Sequence, residues 1–145
     1  MIAGEQIGRP LGYGDNQGIW GLTWDPKVQT TGSKTFINGV IEKYHHTPTS
    51  RCYLGYAALT ETINAIQRAK TTDISALIKT LEGYRFDGLK EGQSFFRSWD
   101  HQHIQDILVG KAFGKELGLG HYDILETVYA DTISIQKSQS TCQLL

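Results

Sequence analysis

Ile19-Trp20-Gly21-Leu22-Thr23-Trp24 is short, apolar and aromatic. Gly18 on one side and Asp25-Pro26 on the other bound it as a β-strand that ends at a turn. On a strand the side chains alternate between faces, so Trp20 and Trp24 are expected to project from the same face. Two large amphipathic rings side by side can wall a small-molecule cleft, because such pockets are mostly apolar with few polar groups. As core residues the same rings need no other explanation. The strand therefore offers Trp20 and Trp24 as ligand-binding candidates and leaves the core alternative open.

Downstream, the hydrophobic period becomes helical. Phe36, Ile37, Val40, Ile41 and Tyr44 recur at the spacing of one helix face, Ser33 can cap that helix, and His45-His46-Thr47-Pro48 ends it. A second helix is expected from about Ser50 to Ala69, with Tyr53, Tyr56, Leu59 or Thr60, Ile63 and Ile66 along one stripe. Its small residues Gly55, Ala57, Ala58 and Ala65 suit close packing against a sheet. Asp73 is the N-cap of a third helix carrying Ile74, Leu77, Ile78 and Leu81, with Gly83 just past its end in the left-handed position.

Upstream, residues 1–18 hold Gly4, Gly8, Gly12, Gly14 and Gly18 with Pro10 and show no apolar periodicity, which reads as loop. Gly12-x-Gly14 followed by Gly18 is a partial dinucleotide fingerprint, but that motif must follow a strand and open a helix, and neither flank qualifies. After Gly83 the pattern turns strand-like: Tyr84-Arg85-Phe86 alternates, Asp87-Gly88 offers turn chemistry, and Ser94-Phe95-Phe96-Arg97 resumes extended structure. Gln105 to Val109 is a further apolar strand, and Gly114, Gly118 and Gly120 mark loops before Tyr122 to Tyr129. Ser134 to Leu145 is polar and Ser/Gln-rich apart from its last two leucines, and reads as a frayed tail.

At 145 residues, with 39% hydrophobic and 10% aromatic residues, the chain has the size and apolar content of one globular domain and not the composition of a disordered one. Fourteen Lys and Arg against 15 Asp and Glu leave a net charge of -1, so no bulk electrostatic attraction draws it to nucleic acid. The longest apolar runs, such as Ile107-Leu108-Val109, fall far short of the roughly 20 residues that cross a bilayer. The amino terminus, Met1-Ile2-Ala3-Gly4-Glu5-Gln6, lacks the basic and apolar regions of an export signal. Cys52 and Cys142 form neither a CxxC pair nor a disulfide framework and read as two unlinked thiols.

Trp99-Asp100-His101-Gln102-His103 is the densest polar cluster. On an extended segment His101 and His103 share a face and can chelate one metal ion, with a third ligand from His45, His46, His121 or a carboxylate. The alternative is a strand-edge segment in which Asp100 accepts backbone hydrogen bonds and the imidazoles pack on aromatic rings. No Gly-x-Ser-x-Gly elbow, no papain-like setting around Cys52 and no carboxylate pair placed for acid and base roles is present.

The order of these segments resembles the carboxy-terminal part of periplasmic substrate-binding proteins of ABC transporters, of the branched-chain amino-acid (Leu/Ile/Val) type. The resemblance is carried by Gly21-Leu22-Thr23-Trp24, Thr35-Phe36-Ile37, Glu42-Lys43-Tyr44 with Thr47-Pro48, and Gly55-Tyr56-Ala57-Ala58. It continues through Ala65-Ile66, Arg68-Ala69-Lys70, the Asp73 to Leu81 helix with Glu82-Gly83, Phe86-Asp87-Gly88-Leu89, and Phe96-Arg97-Ser98-Trp99-Asp100-His101-Gln102. It runs from about Gly18 to Gly110, and more loosely to Val128.

That resemblance implies an α/β chain with a partial type I periplasmic-binding-protein fold: helices and a few strands spanning the last hinge crossing of two doubly wound, parallel-sheeted lobes. Residues 1–18 would then be a loop-like amino-terminal segment, 19–129 the carboxy-terminal portion of a leucine-binding-type periplasmic binding domain, and 130–145 a carboxy-terminal tail. It also implies a structural hairpin around Asp100-His101-Gln102 in place of a metal site. Its further implications are a small-molecule ligand such as an amino acid or amide, an ABC transporter permease as partner, a periplasmic location for the intact protein, and neither catalysis nor a cofactor. The functional alternative is a small stand-alone α/β domain with hydrolytic or metal-dependent activity. The helices would be built to cover a further lobe, so apolar faces are expected on their surfaces.

Overall fold

The computed structural model describes residues 17–117 and 120–144. Strand β1 (Gln17–Leu22) is followed by helices α1 (Thr31–Tyr44), α2 (Ser50–Ala69) and α3 (Ile74–Leu81). Then come strands β2 (Arg85–Asp87), β3 (Gln93–Phe96), β4 (His103–Ile104), β5 (Ile107–Leu117) and β6 (Gly120–Val128), a single helical turn α4 (Ala130–Ile133), and a 3-10 turn at Lys137–Gln139.

The three long helices begin and end where local chemistry allows. The Thr30 side chain, not Ser33, caps α1 by accepting from Ser33 N, and Ser33 itself is buried. The cap lies upstream of its expected position because Thr30 holds the extended backbone an N-cap requires, φ -64° and ψ 157°. Thr49 caps α2, and Asp73 caps α3 through a 2.9 Å bond from Ala76 N. His45 and Lys70 close α1 and α2 in the left-handed conformation, and Gly83 leaves α3 at φ 71°.

The strands form two sheets, β1-β5-β6 and β2-β3-β4, whose strand pairings are all antiparallel; the isolated bridge Glu82–Phe96 beside β3 is parallel. The parallel strands of a doubly wound lobe are not among the described residues. In the small sheet, links as short as 88–92 and 97–102 return β3 and β4 beside their predecessors, whereas a parallel pair needs a crossover of about a dozen residues or more. Gly114 falls inside β5 and not in a loop. Gly110 is demanded by packing at the β1–β5–β6 contact, since a Cβ there would lie 2.7 Å from Leu22 Cδ1 and 2.9 Å from Tyr122 Cβ. Residues 134–144 are tied back to the body by Arg97 Nη1, which donates to Ile135 O at 3.0 Å. Arg97 also donates 3.0 Å from Nε to Asp100 Oδ1, and its Nη2 donates to Asp100 Oδ2, a pairing that holds the Asp100 carboxyl below its usual range.

The core has two apolar clusters. Leu22, Leu108, Ala112 and Tyr122 form one within the larger sheet, and Trp24, Phe36, Ile37, Tyr53 and Leu89 form the other beneath α1 and α2. Val28 packs against both. On α2 the buried stripe is Tyr53, Glu61 and Ala65, with Ala57 partly covered. The expected stripe members Tyr56, Leu59 and Ile63 lie outward instead, because the small Ala57 and Ala65 let the other face approach more closely. With Leu54, they leave α2 with an apolar surface on which Leu59 is 64% exposed, and α3 adds Ile78 and a 73% exposed Ile74.

In the small sheet His103 stacks on Phe86, with centroids 5.5 Å apart, and lies 5.3 Å from Phe96. Burial pushes its imidazole down from 6.5 to about 4, and the Lys90 charge adds to the shift. Between those values the unfolded chain binds the proton that the folded chain refuses, so stability falls as pH drops from 6.5 toward 4. Asp25, raised to about 6 by burial, acts in the opposite sense below pH 6, but equally in any His103 variant.

Urea midpoints of the wild type and His103→Phe are therefore predicted to diverge, the wild type losing ground, as pH is lowered from 7 to about 4.5; a difference independent of pH would contradict the burial of a neutral imidazole. The exposed faces of α2 and α3 predict that the 145-residue chain self-associates and melts broadly. Light scattering that finds a monodisperse monomer with a sharp thermal transition would contradict this.

Candidate functional site

The two indole rings proposed for a ligand wall do not share a face. β1 ends at Leu22, so strict alternation stops before Trp24. The chain then turns at Asp25, whose Oδ1 accepts from Lys27 N at 2.9 Å. Trp20, paired with Gly110 across the sheet, is half-buried against the Leu22–Leu108–Tyr122 cluster. Trp24 is 1% exposed and lies in the second cluster, stacked on Tyr53 at 5.6 Å and edge-on to Phe36 at 5.5 Å. Of the pair, Trp20 keeps a surface that a ligand can meet, while Trp24 is wrapped by its neighbours.

Between the rings lies a polar junction that local sequence patterns do not announce. Lys90, 6% exposed, donates from Nζ to Thr23 O at 2.8 Å, to Gln105 Oε1 at 2.6 Å and to Asp106 O at 2.5 Å. Burial lowers its ammonium to about 8, against the opposing pull of the Asp106 carboxylate. Gln105 Oε1 also accepts from Tyr53 OH at 3.0 Å, and Asp106 Oδ1 accepts from Ala130 N at 2.9 Å. Lys90 sits in Leu89-Lys90-Glu91-Gly92, which reads as an exposed turn. Only the three-dimensional arrangement reveals it as buried.

A cleft of about 340 Å³ opens beside this junction, lined by Lys27, Val28, Gln29, Lys90, Glu91, Leu108, Asp123, Ile124 and Thr127. Its charges are of both signs over an apolar floor of Leu108 and Ile124, a lining compatible with a small zwitterion or polar neutral molecule. Lys27 Nζ is engaged with Tyr122 O at 2.6 Å, and the three acceptors of Lys90 occupy its donors. Gln29 Nε2 donates to Lys27 O at 3.2 Å, which leaves Glu91, Asp123 and Thr127 as further polar side chains of the lining.

The histidines do not converge. His101 stands in a left-handed turn, φ 55°, with its Nε2 2.8 Å from Glu82 Oε1, while His103 is inside the Phe86–Phe96 stack. The shared strand face expected for them fails because β4 begins only at His103. His45 closes α1, His46 Nδ1 is 3.1 Å from Thr47 O, and the side chain of His121 lies outside the described residues. Among the described residues no three His, Cys, Asp or Glu side chains are grouped to hold a metal ion, and Cys52 and Cys142 are both free and exposed. No helix among them is long and apolar enough to cross a membrane.

The periplasmic binding protein family model matches residues 4–116. Comparison with curated proteins gives no match. Among solved structures, a periplasmic binding protein from Burkholderia mallei superposes with a TM-score of 0.81 at 18% identity, covering 97% of this chain and 38% of its own. A branched-chain amino-acid ABC transporter periplasmic ligand-binding protein from Burkholderia xenovorans LB400 gives 0.76 at 17% identity, with 90% and 36% covered. A solute-binding protein of an ABC transporter from Rhodopseudomonas palustris BisB5, solved in complex with 3,4-dihydroxybenzoic acid, gives 0.68 at 14% identity, with 79% and 31% covered. The chain thus spans about a third of the length of these structures, and its helices and strands are a partial type I fold. The chain belongs to the periplasmic binding protein family.

Proposed function

We propose that these residues are the carboxy-terminal portion of a solute-binding component that captures a branched-chain amino acid, or a similar small polar ligand such as an amide, and delivers it to an ABC transporter permease in the periplasm. The family match over residues 4–116 carries this reading. In this reading the role is binding without catalysis, which the periplasmic binding protein family match supports. The ligand class draws support from the Burkholderia xenovorans neighbour's description, while the aromatic acid in the Rhodopseudomonas palustris structure sets how far ligands range on this fold.

Within that reading Trp20, half-buried on β1 and outside the lining of the cleft beside Lys90, presents its remaining surface to the ligand, and Trp24 positions the following turn from behind through its stack on Tyr53. Most hydroxyl and backbone groups that anchor a ligand lie in the other lobe of such receptors, so the 145 residues alone hold too few contacts to offset the entropy of binding.

Calorimetry with L-leucine is predicted to give no saturable heat for the 145-residue chain. The natural protein that contains these residues, purified whole, is predicted to bind a branched-chain amino acid or an amide at micromolar affinity, and Trp20→Ala to weaken that binding about tenfold or more. Micromolar leucine binding by the 145 residues would show that the anchoring groups lie within them. A whole protein that binds no amino acid or amide would overturn the ligand class.

A further inference from the structure

Asp25 is wholly buried in the turn that carries the chain from β1 to α1. Its Oδ1 accepts from Lys27 N at 2.9 Å, and its main-chain O accepts from Val28 N at 3.0 Å. Oδ2 is buried with no hydrogen-bond partner among the described residues. A carboxylate in that position loses water without gaining a donor, whereas the neutral acid loses far less. Burial accordingly pushes the carboxyl up from 3.8 to about 6, against the smaller opposing pulls of the Lys27 N–H and the Lys27 ammonium.

The turn that this carboxyl organises is also a wall. Lys27, Val28 and Gln29 line the cleft of about 340 Å³ beside Lys90. Lys27 Nζ ties the turn to β6 through Tyr122 O at 2.6 Å, and Val28 packs against both apolar clusters. Asp25 is not in that lining; it acts from behind, through the two amides it holds. The charged side chains around the turn are Lys27 on it, Lys34 on α1, Lys90 and Glu91 on the 88–92 loop, Asp106 before β5 and Asp123 on β6. Lys34 is exposed, the Lys90 ammonium is bound to three oxygens and feels the Asp106 carboxylate, and Lys27 is the charge that acts on Asp25.

When the turn opens, Oδ2 reaches water and the acid recovers its ordinary strength. The closed turn therefore holds the proton more tightly than the open one, and each rise in pH between 3.8 and about 6 favours opening. Opening breaks the bonds from Lys27 N and Val28 N and loosens the cleft wall that these residues form.

We propose that Asp25 is a proton-operated latch: protonation of its carboxyl locks the 25–28 turn as a wall of the cleft beside Lys90, and ionisation releases it. The latch concerns the wall and does not rest on which solute the protein carries.

Hydrogen–deuterium exchange of the 145-residue chain, read by mass spectrometry on peptides covering residues 25–30 and corrected for intrinsic rates, tests the latch. Protection of the Lys27 and Val28 amides is expected to fall at least about fivefold as the labelling pH rises from 4.5 to 6.5, while the α1 amides of Phe36 and Ile37 show no such fall. Asp25→Asn, which keeps the shape and removes the charge, is expected to flatten the profile to within about twofold. His103→Phe is expected to keep the wild-type fall, because the imidazole lies in the small sheet and its titration acts in the opposite sense. Circular dichroism establishes that each variant is folded; should Asp25→Asn not fold, the wild-type and His103→Phe profiles decide. Flat protection in the wild type, an equal fall in folded Asp25→Asn, or a fall that His103→Phe abolishes would overturn the proposal.

Discussion

The ammonium of Lys90 is the point on which the described structure depends. It sits where three backbone segments meet: the turn after β1 through Thr23 O, the link between β4 and β5 through Gln105 and Asp106, and the 88–92 loop on which it is carried. Tyr53 joins α2 to the same knot through Gln105 Oε1. Taking an ammonium out of water costs several kcal/mol unless its donors are replaced. Here three oxygens replace them, so the two sheets and the α2 helix are held by one cation. The loop is shaped for this purpose. Leu89 takes a left-handed φ of 57°, held by a 2.8 Å bond from its N–H to Asp87 Oδ1, and Gly88 passes so close to Ser94 that a Cβ would meet its Oγ at 2.1 Å.

Around that knot the two apolar clusters follow. Trp24 lies directly after Thr23, so fixing Thr23 O fixes the indole that stacks on Tyr53 and abuts Phe36. Leu22 precedes it and enters the sheet cluster with Leu108 and Tyr122. The strand whose two rings were expected on one face is therefore a divider. Trp20 and Leu22 face one cluster, Trp24 the other, and Val28 touches both.

Local patterns made the helices legible because caps and a 3.6-residue period are encoded within a few residues: Asp73 and Gly83 bracket α3, and α2 spans Ser50–Ala69 as its periodicity indicates. The family resemblance was legible in the order of short motifs, and the match over residues 4–116 agrees with it. The side of α2 that is buried was not legible, since its apolar residues ring most of the helix and the choice fell to close packing at Ala57 and Ala65. Nor was the course of β5 through Gly114, where a glycine that reads as a break falls within a strand that spans Ile107–Leu117. Lys90, Gln105 and Asp106 were invisible as a site because each is an ordinary polar residue in its own segment. Their meaning comes from contacts across 15 and 16 positions, and across 67 to Thr23. The outward apolar faces of α2 and α3 fit a chain that spans about a third of the structures it resembles.

Replacing Lys90 by Met tests this account most directly, because it keeps the length and apolar stem while removing all three donors. Urea unfolding at pH 7, beside the exposed control Lys34→Met, is predicted to show the Lys90 variant destabilised by at least about 2 kcal/mol, as expected for stranding buried carbonyl oxygens, with the control near wild type. A Lys90→Met protein within about 0.5 kcal/mol of wild type would contradict the claim that this cation holds the sheets and α2 together.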